Sequence, residues 1–508
     1  MSKFLKGTII LIIAGLITRI LGFINRIVVA RLIGEEGVGL YMMAVPTLVL
    51  AITITQFGLP VAISKLVAEA EAIGDRRKIK KILVVSLALT TGLSIVFFPA
   101  LLFIAPILSK TLFTDSRVYY PLIAIAPVVP IIAISSVLRG YFQGKQQMKP
   151  YAYSQLLEQI VRILLIAAFT TAFLPYGVEY AAAGAMLSAV IGEFVSLIYL
   201  FIMFKLKKPL KIRHRFFAYV KAGKDTFVSL MRIALPTTGS RLIGSIAWFF
   251  EPIVVAQSLA IAGVTAVNAT KQYGELTGYA LPLLMLPSFI TYSLATSLVP
   301  AISEAAAKKR QLLIEYRLQQ AMRLSLLAGG LSVVVLYVLA EPIMQLMYGT
   351  NNAAVFVKVM APFFLFYYVQ GPLQAVLQGL DLAKEAMINS FIGSAIKTCL
   401  IFILATNPSL GIMGAALAIT VGMMLVTLLH LATIIKAVSL SFYVKEYIAH
   451  ILMIVIVGVI GHVLFNYLSL SLSVRTSVTM IVMLIVYVVL SIFFRFIKKD
   501  EIKQIFHK

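Results

Sequence analysis

Cysteine occurs once in 508 residues, at Cys399, so no internal disulfide, paired-thiol redox centre or thiolate zinc site is available. Histidine is nearly as scarce. Its five copies, at positions 214, 430, 450, 462 and 507, show no metal-ligand spacing. No zinc-binding helix motif, nucleophile elbow or phosphate loop ending in Gly-Lys-Ser/Thr occurs. Gly34, Gly37 and Gly39 follow an apolar run rather than a strand, which argues against a nucleotide site there. No catalytic residue, metal or cofactor is expected, and the chain does not read as an enzyme. Charge is also sparse: 13% of residues are Asp, Glu, Lys or Arg, and only 20 of them are acidic against 44 basic.

What is abundant is apolar surface. The chain is 61% hydrophobic with a mean hydropathy of +0.99, more than a water-soluble fold can bury, so lipid is its solvent. The formal charge of +24 would suit a nucleic-acid binder, but the cations fall in connections between apolar runs, where they orient a membrane protein and meet anionic headgroups. No nucleic-acid partner is expected. The amino terminus, Met1 to Lys6 and then an apolar stretch to about Ile33, lacks a small-residue cleavage site and reads as a retained first span.

Windows of about twenty apolar residues recur fourteen times. They lie near 8–32, 40–66, 82–107, 118–140, 153–173, 180–204, 232–260, 276–302, 320–346, 354–379, 388–405, 411–435, 447–467 and 476–496. Being continuously apolar rather than alternating, they predict an all-α polytopic membrane protein and not a barrel. With the amino terminus cytoplasmic, the outer loops hold only Lys110, Arg117, Lys271 and Arg475. The inner ones hold Arg76, Arg77, Lys78, Lys80, Lys81 and the run Lys205 to Lys224. Both termini are therefore expected in the cytoplasm, with the protein a multi-pass component of the cell membrane.

The chain also contains itself twice. Ala126-Pro127, Gln143-Gly144 and Arg162 are echoed at equal spacing by Ala361-Pro362, Gln378-Gly379 and Lys397. Gly184-Ala185 with Gly192 answers Gly414-Ala415 with Gly422. Further back, Ala62-Ile63-Ser64 answers Ala301-Ile302-Ser303, and Arg19 with Gly22 answers Arg241 with Gly244. Six spans per copy leave the copies in one orientation, a parallel repeat of the kind found in alternating-access carriers. The expected organisation is an N-lobe at 1–204, a basic cytoplasmic linker at 205–231, a C-lobe at 232–436, and two added spans with a tail at 437–508.

Charges inside spans are costly in lipid and become functional candidates. Arg19 and Arg26, seven residues apart, project from nearly one face of the first span, and Arg241 holds the matching place in the second copy. A guanidinium stays charged and grips phosphate through two parallel hydrogen bonds, so these three are the candidate substrate residues of a central cavity. Glu158 and Arg162 are spaced to neutralise each other, and Glu193 is a further partner for Arg162. Lys397 holds the place of Arg162 without such a neighbour. Glu251, before Pro252, is a candidate for balancing Arg241 or coupling a cation. Gly58 and Pro60 in span two, Pro252 in span seven and Pro300 in span eight are read as helix interruptions at a gate or kink.

These segments carry a resemblance. Thr18-Arg19-Ile20-Leu21-Gly22-Phe23 resembles the first-span motif of lipid-linked oligosaccharide flippases, a superfamily that includes multidrug and toxic compound extruders. Gly34 to Thr47, Phe57 to Ala70, Ser135 to Pro150, Leu235 to Arg241, Thr270 to Gly278 and Gln370 to Leu380 extend the likeness over nearly the whole chain. The resemblance is closer still to the stage V sporulation branch of endospore-forming bacteria. The resemblance implies two six-helix lobes plus two extra helices. It also implies a flippase for an anionic lipid-linked oligosaccharide, serving spore cortex peptidoglycan synthesis beside cell-wall synthesis enzymes, with Arg19 as a cavity arginine. Asn25-Arg26 stands where lipid II flippases carry arginine-aspartate. The competing readings are a cation-coupled multidrug antiporter, which would use Glu251, and a non-transporting scaffold for wall synthesis.

Overall fold

The computed structural model describes residues 3–206, 216–438, 444–494 and 496. Nine residues of the basic linker, 207–215, and the tail from residue 497 onward lie outside the described residues, as do His214 and His507. Every regular element among the described residues is helical. In hydrocarbon no solvent pairs with the backbone, and a helix satisfies its N–H and C=O groups within one segment. Side-chain hydroxyls follow the same rule: Thr53, Thr90, Ser94, Thr238 and Thr420 each donate to the carbonyl four residues back. Large apolar side chains such as Ile95, Phe103 and Leu164 stay exposed, as lipid-facing residues do.

The chain divides into two compact units, Met1–Gly274 and Glu275–Lys508. In the first, α1 (Lys3–Gln56) is followed by α2 (Leu59–Ala72), α3 (Arg76–Ile107), α4 (Tyr119–Ile125), α5 (Val128–Gly144), α6 (Met148–Phe173) and α7 (Val178–Leu206). After the linker come α8 (Phe216–Lys221), α9 (Lys224–Ile261) and α10 (Ala266–Gly274). The second unit holds α11 (Leu281–Met285), α12 (Ser288–Ala307), α13 (Gln311–Val338), α14 (Ala340–Tyr348), α15 (Ala354–Met360), α16 (Phe364–Gly379), α17 (Ala383–Ala405), α18 (Ile412–Ala437), α19 (Val444–Tyr467) and α20 (Leu472–Phe493). Twelve helices among the described residues are long and apolar enough to cross a membrane, or thirteen when the pair Ala266–Met285 and Ser288–Ala307, bent by 55°, counts as one. One of the twelve, Ile13–Ala72, is 60 residues long and is broken at Gly34 (φ 66°, ψ −175°) and again at Phe57-Gly58.

The duplication seen in the sequence is present as repeated helix crossings. In the first unit α6 packs on α7, and a methyl group at Gly192 would lie 2.8 Å from the Glu158 carbonyl oxygen. In the second unit α17 packs on α18, and the equivalent methyl at Gly422 would lie 2.7 Å from Cβ of Lys397. Likewise α2 meets α5 where a methyl at Gly144 would lie 2.6 Å from the Ser64 carbonyl oxygen, and α12 meets α16 where one at Gly379 would lie 2.8 Å from Cβ of Ile302. Small residues let membrane helices close on one another, where dispersion contacts and not water exclusion hold them. The added helices α19 and α20 dock on α13, where Gly330 admits His450 and Tyr487, and the Tyr487 hydroxyl donates to the Leu327 carbonyl at 2.8 Å.

The helix interruptions fall differently from the expectation. Phe57 and Gly58 are both left-handed, and Pro60 stands in the first turn of α2, so this break is real. Pro252 and Pro300, by contrast, lie inside α9 and α12, which run through them. A membrane helix tolerates the one donor a proline removes when its neighbours re-satisfy the freed carbonyl. The matched interruptions are instead at Ala126-Pro127, between α4 and α5, and at Ala361-Pro362, between α15 and α16.

Gly144→Val and Gly379→Val should each lower stability by about 1–3 kcal/mol through overpacking. Gly92→Val, at a position with nothing within 4 Å, should cost less than either. Unfolding of the full chain in detergent, followed by intrinsic fluorescence, checks the ordering.

Candidate functional site

Three polar arrangements interrupt the apolar first unit. The first is an open cavity of about 410 Å³ on the seam between α1 and α9. The closing turns of α1 supply Val49, Ile52, Thr53 and Gln56, and α9 supplies Arg241, Gly244, Ser245 and Trp248. Thr53 Oγ1 and Ser245 Oγ stand 3.0 Å apart and tie the two helices. The helix break at Gly58 belongs to the same seam: a methyl group there would lie 2.7 Å from the Ala234 carbonyl oxygen, so only glycine lets α9 approach. Arg241 is the one ionisable residue in the lining, with polar support from Gln56, Thr53 and Ser245.

Of the three arginines singled out from sequence, then, one lines this cavity. Arg19 and Arg26 are exposed on the earlier half of α1, and neither belongs to the cavity wall. Glu251 is buried in α9, also outside the lining. In the second unit, Lys397 is half-buried on α17 at its crossing with α18.

The second arrangement is an ionic quartet on α5, α6 and α7, in which Glu193 is buried and Arg139, Glu158 and Arg162 are half-buried. Glu158 accepts from Arg162 Nη2 at 2.8 Å, the pair that four-residue spacing anticipates. Glu193 pairs not with Arg162 but with Arg139, whose Nη2 lies 3.0 Å from Glu193 Oε1 and 3.5 Å from Glu158 Oε2. The Ser135 hydroxyl donates to Glu193, and Arg139 also donates to Ser196 Oγ at 3.1 Å. Arg139 joins both carboxylates and was missed as a site residue. The signal was available, since Ser135 to Gly140 puts an arginine at the end of an apolar window. Its fate depended on two helices whose contact no spacing reveals. Two cations and two anions leave the cluster formally neutral, which is what makes it tolerable in a low-dielectric interior.

The third lies where α1, α10 and the segment before α4 meet. Arg117 pairs with Glu36 and, at 2.8 Å, with Asp115, which also accepts from the Thr270 hydroxyl at 2.9 Å; Lys271 pairs with Glu35 at 3.2 Å. A methyl at Gly274 would lie 2.2 Å from the Glu35 carbonyl oxygen, so the two helices are in backbone contact here. Burial pushes the Asp115 carboxyl up, but the hydrogen bonds and charge of Arg117 and the Thr270 hydroxyl outweigh it, and the carboxyl ends below the usual carboxylate range. With its folded value depressed, the Asp115 contribution is present above the unfolded value and is lost as pH falls through the folded one.

The model of a polysaccharide biosynthesis protein family matches residues 4–306, and the MatE family model matches residues 276–403. Stage V sporulation protein B of Bacillus subtilis (strain 168) is 64% identical over 99% of this chain and 98% of its own length. Among solved structures, the lipid II flippase MurJ in an inward closed conformation superposes with a TM-score of 0.73 at 17% identity, covering 95% of this chain and 98% of that one. An inward-facing multidrug resistance MATE family transporter gives 0.67 at 17% identity, covering 81% and 92%. At such identities the two structures speak for the fold.

Arg139→Leu strands a carboxylate and should destabilise the protein by about 3–5 kcal/mol. Arg139→Leu with Glu193→Leu leaves Glu158 and Arg162 balanced and should recover more than half of that loss. Denaturant titration of the two variants in one detergent decides it.

Proposed function

The chain belongs to the polysaccharide biosynthesis protein family, a membrane-transporter family, and from that membership we propose that it is a flippase. Its cargo in this reading is an undecaprenyl-pyrophosphate-linked cell-wall precursor of the lipid II type, moved outward by alternating access for spore cortex peptidoglycan. The observation that carries it is the cavity on α1 and α9, whose charged lining is a guanidinium with no carboxylate beside it. Such a lining attracts an anion and repels the organic cations an antiporter takes up. Arg241 holds the pyrophosphate, and Arg19 and Arg26, exposed along α1, add to the positive path by which it arrives and leaves. The repeat relation of Arg19 to Arg241 supports treating them as a pair.

Topology follows from the same reading. Ile13–Ala72 would extend about 90 Å as one straight helix, three times the hydrocarbon thickness of about 30 Å. Counted as two crossings divided at Gly34, with the bent pair taken as one, it brings the total to fourteen and puts both termini on one side. The basic segments Arg76 to Lys81 and Lys205 to Lys224 make that side the cytoplasm. The lobes are then 1–204 and 232–436, joined by the linker at 205–231 and followed by the added spans of 437–508. Each negative charge carried outward across an inside-negative membrane releases about 2.3 kcal/mol per 100 mV, so export of a pyrophosphate is downhill without a counter-ion.

Proteoliposomes containing only this protein, loaded with labelled precursor and probed leaflet by leaflet, provide the test. Removing a charge-assisted contact worth about 1.5–3 kcal/mol should slow transfer roughly ten- to hundredfold for Arg241→Gln, and charge reversal in Arg241→Glu or Arg19→Glu should abolish it. Glu251→Gln should transfer at the wild-type rate. Full transfer by both reversed variants, together with drug efflux that needs Glu251, would instead establish the antiporter.

A further inference from the structure

Away from the arginine cavity, the start of α3 carries Arg76, Arg77, Lys78, Lys80 and Lys81 within six residues. α8 lies against α3 at this end, and Lys80 sits over the Tyr219 ring, 4.6 Å from its centroid. Gly223, just before α9, closes the contact, since a methyl there would lie 2.5 Å from Cγ2 of Val85. Between these elements is a second open cavity, of about 760 Å³. Arg77, Lys78 and Lys81 line one side of it, and Tyr219 with the Thr226 and Ser229 hydroxyls line the other. Leu66 and Ile82 supply apolar wall.

Two carboxylates also face it, and they set the chemistry rather than cancel it. Asp75 is occupied in capping α3, where it accepts from the Lys78 N–H at 2.8 Å. Asp225 stands in the first turn of α9. Three cations against two carboxylates, with one carboxylate engaged, leave the lining cationic.

We infer that this cavity seats the headgroup of an anionic phospholipid carrying two phosphates, of the cardiolipin class. Arg77 to Lys81 spans about 6 Å along the helix axis, a spread that meets two phosphate groups better than one. The position decides between a lipid and a free anion, because α3 enters the candidate span Arg76–Leu112 at this point. Basic pockets between membrane helices bind such headgroups. A bound headgroup would join α3 to the α8–α9 corner and so brace the point where the basic connection returns to the bundle.

The test uses the full chain in detergent, with native mass spectrometry and melting curves in the presence of cardiolipin, phosphatidylcholine or inorganic pyrophosphate. Cardiolipin should be retained and should raise the melting temperature. The triple variant Arg77→Gln, Lys78→Gln, Lys81→Gln should bind it roughly hundredfold more weakly, counting about fivefold per cation. Arg76→Gln, Lys221→Gln, Lys224→Gln removes equal charge from exposed positions outside the lining and should keep its affinity within about threefold. Equal loss in both triples would reduce the effect to general surface charge and overturn the site. Equal retention of phosphatidylcholine, or displacement of cardiolipin by equimolar pyrophosphate, would overturn it as well, the first pointing to an annular lipid and the second to a free-anion site.

Discussion

Hydrocarbon accepts no hydrogen bond and screens no charge, so every polar group within this bundle must find its partner in the chain, in trapped water or in a ligand. That single constraint accounts for the fold's repeated devices. Threonine and serine hydroxyls turn back on their own helices. Glycines at 144, 192, 379 and 422 let helices meet closely enough for dispersion alone to hold them. Where a charge is carried deep into the first unit, as at Arg139, opposite charges on two other helices meet it.

The two copies answer the constraint differently at one place. The repeat spacing puts Gln374 opposite Arg139, Gly393 opposite Glu158 and Met423 opposite Glu193. In the second unit, therefore, the quartet has no counterpart. At Gly393 α17 and α18 close so tightly that a methyl group would lie 2.2 Å from Cγ2 of Val426. Both copies close their helices at glycines, and the first adds the ions of the quartet. Breaking a buried ion pair costs far more than making one gains, so the ionic solution rewards a unique arrangement over a slid or rotated one.

Much of the architecture was legible in the sequence because its signals are periodic or local. Apolar windows mark helices, equal spacings mark the duplication, and the Glu158–Arg162 pair is fixed by one helical turn. The matched helix breaks were also written in the chain, as the echoed Ala-Pro pairs at 126 and 361, but the eye goes to Pro60 and Pro300. Proline alone does not say whether neighbouring helices will re-satisfy the carbonyl it frees. The Arg139–Glu193 pairing and the cavity at Arg241 are tertiary: each needs helices far apart in sequence to meet in one rotation about their axes, and no spacing encodes that.

A charge inside a span is equally conspicuous in sequence whether it holds the fold or does the work. Under the proposed function the two differ in where compensation comes from. Arg139 and Arg162 spend theirs on Glu158 and Glu193, within hydrogen-bond or ion-pair reach. Arg241 faces a space whose walls offer it hydroxyls, an amide and an indole, but no carboxylate. Its compensation must enter from outside the chain, as water or as an anion. In the proposed function that fixed cation exchanges solvent for a charged headgroup, and the neutral quartet, fully engaged, does not.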